Sequence, residues 1–166
     1  MRPANIDHLV YAVAELGAGV AALESLLGVR AVIGGRHPQY GTHNALLRLG
    51  PATYLEIVAA DPVSARPERG RPFGVDSGDL PRLTTWAVRD EAIERRAANA
   101  SAAGLELGAV QVGGRARPDG TLVSWRLTDP YAMPLDGLAP FVIAWGATPH
   151  PALTAPAAGM LAGLRV

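Results

Sequence analysis

Glu56 is the residue whose surroundings most strongly suggest a chemical role. It stands in the stretch Tyr-Leu-Glu-Ile-Val-Ala, whose apolar and β-branched residues are typical of a strand. A carboxylate inside such a strand is rarely buried unless it is paired or ligates a metal. Because strand side chains alternate between two faces, Glu56 points either into a polar cavity or outward to water, and the sequence leaves both open.

The composition limits the chemistry that the chain can perform. All 15 basic residues are arginine, which excludes lysine Schiff bases, and the absence of cysteine excludes disulfides and thiolate catalysis. Any metal must therefore be held by His, Asp, Glu or water. The 15 acidic residues balance the basic ones, so no charge excess indicates nucleic acid or an anionic membrane as a partner. With no signal peptide and no membrane-length apolar run, a cytoplasmic protein is expected.

The elements that must position Glu56 occur twice along the chain. Apolar periodicity, capping residues and glycines predict the order strand, helix and three strands in each copy. The first copy is predicted as strand 6–13, helix 15–27 and strands 30–33, 43–49 and 53–59. The second copy is predicted as strand 83–89, helix 90–103 and strands 105–112, 121–128 and 141–145.

Each copy contains Gly-Gly-Arg, four further residues and Gly-Thr, beginning at Gly34 and at Gly113. Both segments are predicted as loops at the same corner of the unit, where glycine permits positive φ. A phosphate-binding loop is disfavoured, since the segments lack its lysine and precede a strand. Arg36 and Arg115 recur with the repeat, which favours a structural or solvated role for both.

Tandem βαβββ units resemble the vicinal-oxygen-chelate superfamily, and within it the bacterial glyoxalase-like domain proteins. The resemblance is carried by the stretches IDHLVYAV, GGRHPQYGTHNALLRLG, TYLEIVAADP and PFVIAWGATPHP. It implies an α+β fold in which the units form a curved, open eight-stranded sheet around a central cavity, with both helices outside. The implied organisation is a first unit over 1–60, a linker over 61–82, a second unit over 83–150 and a tail over 151–166.

The resemblance also implies a metal site, because enzymes of the superfamily hold a divalent ion between the first and last strands of each unit. In this chain His8 and Glu56 are the matching metal ligands of the first unit, and Glu56 is the candidate catalytic residue. The second unit offers Leu83 and Ala144, which are not ligands. We therefore expect at most a weakly bound Zn, Mn, Ni or Fe ion. The lack of metal ligands in the second unit also disfavours lactoylglutathione-lyase and dioxygenase activities.

Other residues are candidates for contacts with a small-molecule ligand. His43 and Asn44 open a strand that should line the sheet, whereas His37 is better explained by local hydrogen bonds and His150 by a surface turn. Core packing is the default for the tryptophans, but aromatic walls also stack on ligands. The tryptophans lie on predicted strands of the second unit, at Trp86, Trp125 and Trp145.

Two small-molecule functions remain open from the sequence, beside a structural or partner-binding role. One is a metal-dependent enzyme of the lyase or isomerase type, and the other is a metal-free protein that sequesters an apolar or aromatic compound. Both use a small molecule as the partner. In the tail, the alternation of Met160, Ala162, Leu164 and Val166 predicts a strand near 159–166, at a sheet edge or a homodimer contact.

Overall fold

The computed structural model describes residues 6–164, which form two βαβββ units. The first unit consists of β1 (Ile6–Ala12), α1 (Leu16–Leu27), β2 (Val32–His37), β3 (Thr42–Arg48) and β4 (Tyr54–Ala60). The second consists of β5 (Arg82–Arg89), α2 (Ile93–Ala102), β6 (Gln111–Ala116), β7 (Leu122–Leu127) and β8 (Phe141–Ala144). The predicted mixed α+β class is therefore confirmed, with eight strands and two helices among the described residues.

The eight strands close into a barrel in the order β1-β4-β3-β2-β6-β7-β8-β5. Within each unit the first and last strands run parallel, and the units join at two antiparallel contacts, β1 with β5 and β2 with β6. The prediction of an open sheet is wrong, because β2 reaches β6 and pairs with it at Arg36 and Ala116.

The Gly-Gly-Arg triplets form this closing contact and are not loops. They lie within β2 and β6, and the connecting turns follow them. Gly35 has a φ of 149°, and a Cβ there would overlap the carbonyl oxygen of Ala116. A Cβ on Gly113 would overlap the indole of Trp125 on β7. Gly35 therefore leaves space for the close approach of β2 and β6, and Gly113 leaves space for the indole of Trp125.

The barrel has an inner and an outer apolar layer, because side chains alternate along each strand. Residues such as Val10, Leu46 and Ile143 pack inside the barrel. Leu9, Leu47 and their neighbours face outward and are covered by α1, while α2 covers a smaller cluster over β5 and β8. Between residues 6 and 164, neither helix combines the length and the apolar character needed to cross a bilayer.

The segments outside the strands cover the two ends of the barrel. The linker over 61–81 contains turns and no regular element, and its Phe73 and Val75 pack against the inner cluster. It follows the end of β4, whereas the tail covers the opposite end, where His150 contacts the start of β1 and of β4.

The described part of the predicted tail strand, residues 159–164, is not a strand. A single bridge joins Ala157 to Arg48, and the Leu161 amide donates to the Leu49 carbonyl. A strand would place every second residue against the outer cluster. In the tail every third residue packs against it, which fits an irregular backbone: Ala158, Leu161 and Leu164. Val166 lies outside the described residues.

The closing contact predicts different effects of alanine at two glycines with similar backbones. Gly35 and Gly50 have φ values of 149° and 144°, but only Gly35 faces another strand, whereas nothing lies within 4 Å of a Cβ at Gly50. We expect Gly35→Ala to lower the free energy of unfolding by about 1–3 kcal/mol more than Gly50→Ala, measured by urea denaturation. Equal losses would show that backbone strain, and not the contact with β6, sets the requirement for glycine.

Candidate functional site

The interior of the barrel contains a narrow cavity of about 30 Å³. Its polar side chains come from β1, β4, β3, β2 and β6, which are consecutive in the barrel, and its aromatic side chains come mainly from β7, β8 and the segments beside them. The polar half includes His8, Glu56, Asn44, Arg115 and His37. The aromatic half includes Trp125, Trp145, Phe141 and Phe73. Such a two-sided lining suits a ligand with one polar and one apolar end.

His8 and Glu56 face each other across the neighbouring parallel strands β1 and β4. Only 2% of His8 and 8% of Glu56 are exposed, and both side chains line the cavity. The distance between His8 Nε2 and Glu56 Oε2 is 3.6 Å, which is too long for a hydrogen bond. The two residues singled out by the sequence thus meet at one point of the cavity wall.

Asp7 determines which nitrogen of His8 faces Glu56. The Asp7 carboxylate is fully buried and accepts a hydrogen bond of 2.7 Å from His8 Nδ1. Its other oxygen accepts from Trp145 Nε1 and from His150 Nε2, each at 3.0 Å. Burial raises the pKa of Asp7, but the hydrogen bonds from His150 and His8 outweigh burial and hold the pKa well below its usual value. The Asp7 carboxylate can only accept, so it favours a proton on His8 Nδ1 and leaves Nε2 on the side of Glu56.

Asn44 holds the other side of Glu56. Its Nδ2 donates to Glu56 Oε1 at 2.6 Å, and its Oδ1 accepts from Arg115 Nη1 at 3.2 Å. A continuous polar chain therefore runs from Asp7 through His8, Glu56 and Asn44 to Arg115. In this chain Glu56 Oε2 is the oxygen left facing the cavity and His8.

His8 and Glu56 fit part of a metal coordination shell. Two ligands placed about 2.0–2.2 Å from a tetrahedral ion are roughly 3.4 Å apart, close to the observed 3.6 Å. Across residues 6–164, however, no three His, Asp or Glu side chains converge on one point. The donor set fits an ion whose remaining positions are filled by water or by ligand oxygens, and it does not fit a four-ligand resident site.

The second unit supplies no metal ligand to the cavity. Alignment of the two repeats indicated Leu83 and Ala144 at the ligand positions, but neither side chain lines the cavity. Leu83 is 51% exposed, and the residue opposite His8 in the β1–β5 register is Ala87. Ala144 belongs to the outer cluster beneath α2, while its neighbours Ile143 and Trp145 face the cavity. The two repeats therefore present different residues to the cavity from those that a linear alignment pairs.

The predicted ligand contacts separate into two groups. Asn44, Trp125 and Trp145 line the cavity. His43 lies on the opposite face of β3, because it alternates with Thr42 and Asn44, which face inward. Trp86 also lies outside the barrel, where its indole N–H donates to the carbonyl of Leu138 at 2.9 Å. Neither His43 nor Trp86 contributes to the cavity.

Several residues of the cavity were not expected from the sequence. His37 was interpreted as a loop residue, yet it lines the cavity, and its Nδ1 lies 3.0 Å from Thr42 Oγ1. Burial lowers its pKa to about 4. Arg115 was expected to be structural or solvated, and it is buried in the cavity wall. His150, expected on a surface turn, holds Asp7.

A bulge explains why equivalent arginines of the repeat face opposite ways. In β6, Gly113 and Arg115 alternate inward in a regular ladder. In β2 the register with β3 shifts between Ile33 and Gly35, which turns His37 inward and Arg36 outward. Arg36 then pairs with Asp61 at 2.9 Å outside the cavity. A one-residue shift exchanges the faces of a strand, and no local sequence signal marked this one.

Comparison with known families places the fold. The sequence matches the family described as a glyoxalase-like domain over residues 6–165. Among curated proteins, none matches the chain significantly.

Three solved structures share the architecture. A hypothetical protein from Staphylococcus aureus aligns with a TM-score of 0.65 and 18% identity, covering 87% of this chain and 60% of its own length. A methylmalonyl-CoA epimerase from Streptomyces coelicolor has a TM-score of 0.55 and 17% identity, covering 89% and 99%. The Mycobacterium tuberculosis methylmalonyl-CoA epimerase has a TM-score of 0.54 and 16% identity, covering 93% and 97%. These likenesses show the fold, and this chain spans three fifths of the Staphylococcus aureus protein.

The buried hydrogen bonds of Asp7 predict a large loss of stability when its charge is removed. The neutral amide of Asp7→Asn cannot replace a carboxylate that accepts from three donors. We therefore expect a loss of about 3 kcal/mol or more in the free energy of unfolding at pH 7. Asp79→Asn is the control, because Asp79 is exposed and pairs only at the surface, with an expected loss below about 1 kcal/mol. Similar losses in both variants by thermal unfolding would contradict the role given to Asp7.

His37 predicts a pH dependence of stability. Its pKa in the folded protein is lowered to about 4, whereas in the unfolded chain it is near 6.5. Between these values the unfolded state binds more protons, so stability falls as the pH drops from about 6.5 to about 4, by up to roughly 3 kcal/mol. His37→Gln should flatten this window in urea denaturation, while His43→Gln on the outer face should leave most of it. An unchanged pH profile in His37→Gln would contradict the prediction.

Proposed function

The chain belongs to the glyoxalase-like domain family of the vicinal-oxygen-chelate superfamily, and on this basis we propose that it binds a small molecule in the barrel cavity and transfers a proton on it, as a lyase or isomerase. The observation that carries the proposal is the pairing of Glu56 Oε2 with His8 Nε2, 3.6 Å apart on the cavity wall. Both atoms are acceptors when His8 is neutral. A proton, a metal ion or a donor group of a ligand placed between them would join the two acceptors.

Glu56 is the proposed acid–base residue. Asn44 fixes one carboxylate oxygen with a hydrogen bond of 2.6 Å, so that Oε2 keeps a defined direction. In this position Oε2 accepts a proton from a bound ligand and returns it to the same or a neighbouring atom. Its orientation does not depend on ligand binding, because the hydrogen bond from Asn44 already positions it.

A divalent ion is proposed to be held weakly by His8 and Glu56. When bound, Zn²⁺, Mn²⁺, Ni²⁺ or Fe²⁺ would act as a Lewis acid that polarises a ligand oxygen beside the bond being broken. The donation from His8 Nδ1 to Asp7 supports this assignment, since ligating histidines commonly donate their second ring nitrogen to a carboxylate. Two protein ligands favour an ion that exchanges readily and is lost on dialysis.

The structural neighbours support proton transfer as the reaction type. Methylmalonyl-CoA epimerases share the fold, and an epimerisation removes and returns a proton at one carbon. This structural likeness supports the class of reaction, and it does not assign a coenzyme A ester to this cavity.

A metal-free binding protein is the second candidate. It is favoured by the aromatic half of the cavity, where the rings of Trp125 and Trp145 are 5.5 Å apart and those of Phe73 and Phe141 are 5.0 Å apart. Such a wall binds flat apolar groups without any ion. Metal analysis of protein purified without a histidine tag distinguishes the two candidates at little cost.

Glu56→Gln tests the proposed ion directly. We expect wild type to bind Zn²⁺, Mn²⁺ or Ni²⁺ with an affinity measurable by calorimetry, and Glu56→Gln to reduce it by at least about tenfold, because one of two charged or basic donors is lost. Glu68→Gln, at an exposed position of the linker, is the matched control and should bind as wild type does. Equal affinities for wild type and Glu56→Gln would exclude Glu56 as a ligand.

Proton transfer is tested by exchange with solvent. Compounds that bind wild type in a fragment screen are incubated in D₂O with wild type, Glu56→Gln and Glu68→Gln, and carbon-bound deuterium is followed by NMR. The proposal requires exchange with wild type and Glu68→Gln and its loss in Glu56→Gln. Binding without exchange in wild type would favour the sequestration protein.

A further inference from the structure

Arg115 places a positive charge inside the barrel without a carboxylate beside it. The residue is 6% exposed and lines the cavity. Its one protein partner among the described residues is Asn44, whose Oδ1 accepts from Nη1 at 3.2 Å. Within residues 6–164 no carboxylate oxygen lies within 4.0 Å of the guanidinium, whereas Arg36, at the same position of the repeat, pairs with Asp61 at 2.9 Å.

An unpaired buried guanidinium is energetically unfavourable unless an anion accompanies it. Burial lowers the pKa of Arg115, but a guanidinium stays protonated in proteins. Glu56 is separated from Arg115 by the amide of Asn44, so its charge acts on the guanidinium without a direct hydrogen bond, and its free oxygen faces His8. Arg115 lines the cavity and has one hydrogen bond among the described residues, to Asn44, so its planar fork has further N–H donors in an arrangement that matches a carboxylate.

Tyr40 is a second, independent donor without a partner. It is 6% exposed, lines the same cavity, and its hydroxyl is buried with no hydrogen-bond partner among the described residues. Burial raises its pKa to about 12, so the hydroxyl keeps its proton and acts as a donor. Buried polar groups without partners in a native structure commonly indicate a missing ligand or water.

We propose that the cavity binds a small carboxylic acid and that Arg115 binds its carboxylate. The apolar end of the ligand packs on the aromatic half formed by Trp125, Trp145 and Phe141. Because Asn44 bridges Arg115 to Glu56, the carboxylate site lies on the polar side of the cavity that also contains Glu56 and His8. The carboxylate site does not rest on the proposed function.

Mandelate and its neutral amide, mandelamide, are the probes for the carboxylate site. Binding is measured in EDTA by calorimetry and by tryptophan fluorescence, with Trp86→Phe as the background because Trp86 lies outside the barrel. We expect wild type to bind mandelate at least tenfold more tightly than mandelamide. Arg115→Gln should lose about 10- to 100-fold in affinity for mandelate, as expected for a charge-assisted contact, and keep its affinity for mandelamide.

Arg36→Gln is the matched control, since it removes the equivalent arginine of the repeat outside the cavity, and it should bind mandelate as wild type does. Arg115→Lys keeps the charge without the planar fork and should retain part of the preference. The wild-type comparison of acid with amide does not depend on the folding of any variant. Equal affinities of wild type for mandelate and mandelamide, or an undiminished affinity of folded Arg115→Gln for mandelate, would overturn the proposal.

The outcomes separate this inference from the proposed function. Mandelate binding that requires Arg115, with no deuterium exchange in wild type, would support the carboxylate site and refute proton transfer. Exchange that requires Glu56 but is the same in wild type and Arg115→Gln would support proton transfer and overturn the carboxylate site.

Discussion

The contact between β2 and β6 is the constraint on which the rest of the structure depends. It joins the two units along a second edge and thereby converts a sheet into a barrel with an interior. The contact is possible because Gly35 allows the backbones to approach, and a side chain there would occupy the space of the Ala116 carbonyl on β6. The same segment contains the bulge that turns His37 into the cavity and Arg36 out of it. Strand β2 therefore both closes the barrel and determines that His37, and not Arg36, faces its interior.

The second constraint is electrostatic. A series of polar groups lines a buried site, and the position of each group depends on its neighbours. Asp7, ionised and held by His150 and Trp145, orients His8, and Asn44 orients Glu56. The residues that hold Asp7, Trp145 and His150, both come from the far end of the second unit. The site on the first unit therefore depends on segments that are distant in sequence.

The two copies of the unit have diverged in what they present to the cavity. The first contributes the imidazole, carboxylate and amide of His8, Glu56 and Asn44. The second contributes aromatic rings and one cation, Arg115. A duplicated scaffold with one polar and one aromatic half forms a cavity whose two ends differ in chemistry, which is a requirement for holding an asymmetric small molecule in one orientation.

Local patterns were sufficient for the element order and for part of the site. Strand and helix periodicity identified both βαβββ units, and an acid within an apolar strand identified Glu56, because these signals depend on neighbours along the chain. The family resemblance identified His8. Barrel closure, the inward turn of His37 and Arg115, and the outward position of His43 and Trp86 were decided by tertiary structure, because they depend on strand register and on a bulge. A shift of one residue exchanges the faces of a strand while leaving the sequence pattern unchanged. Asp7 shows the same limit, since its partners Trp145 and His150 lie more than 130 positions away in sequence and meet it only in the folded barrel.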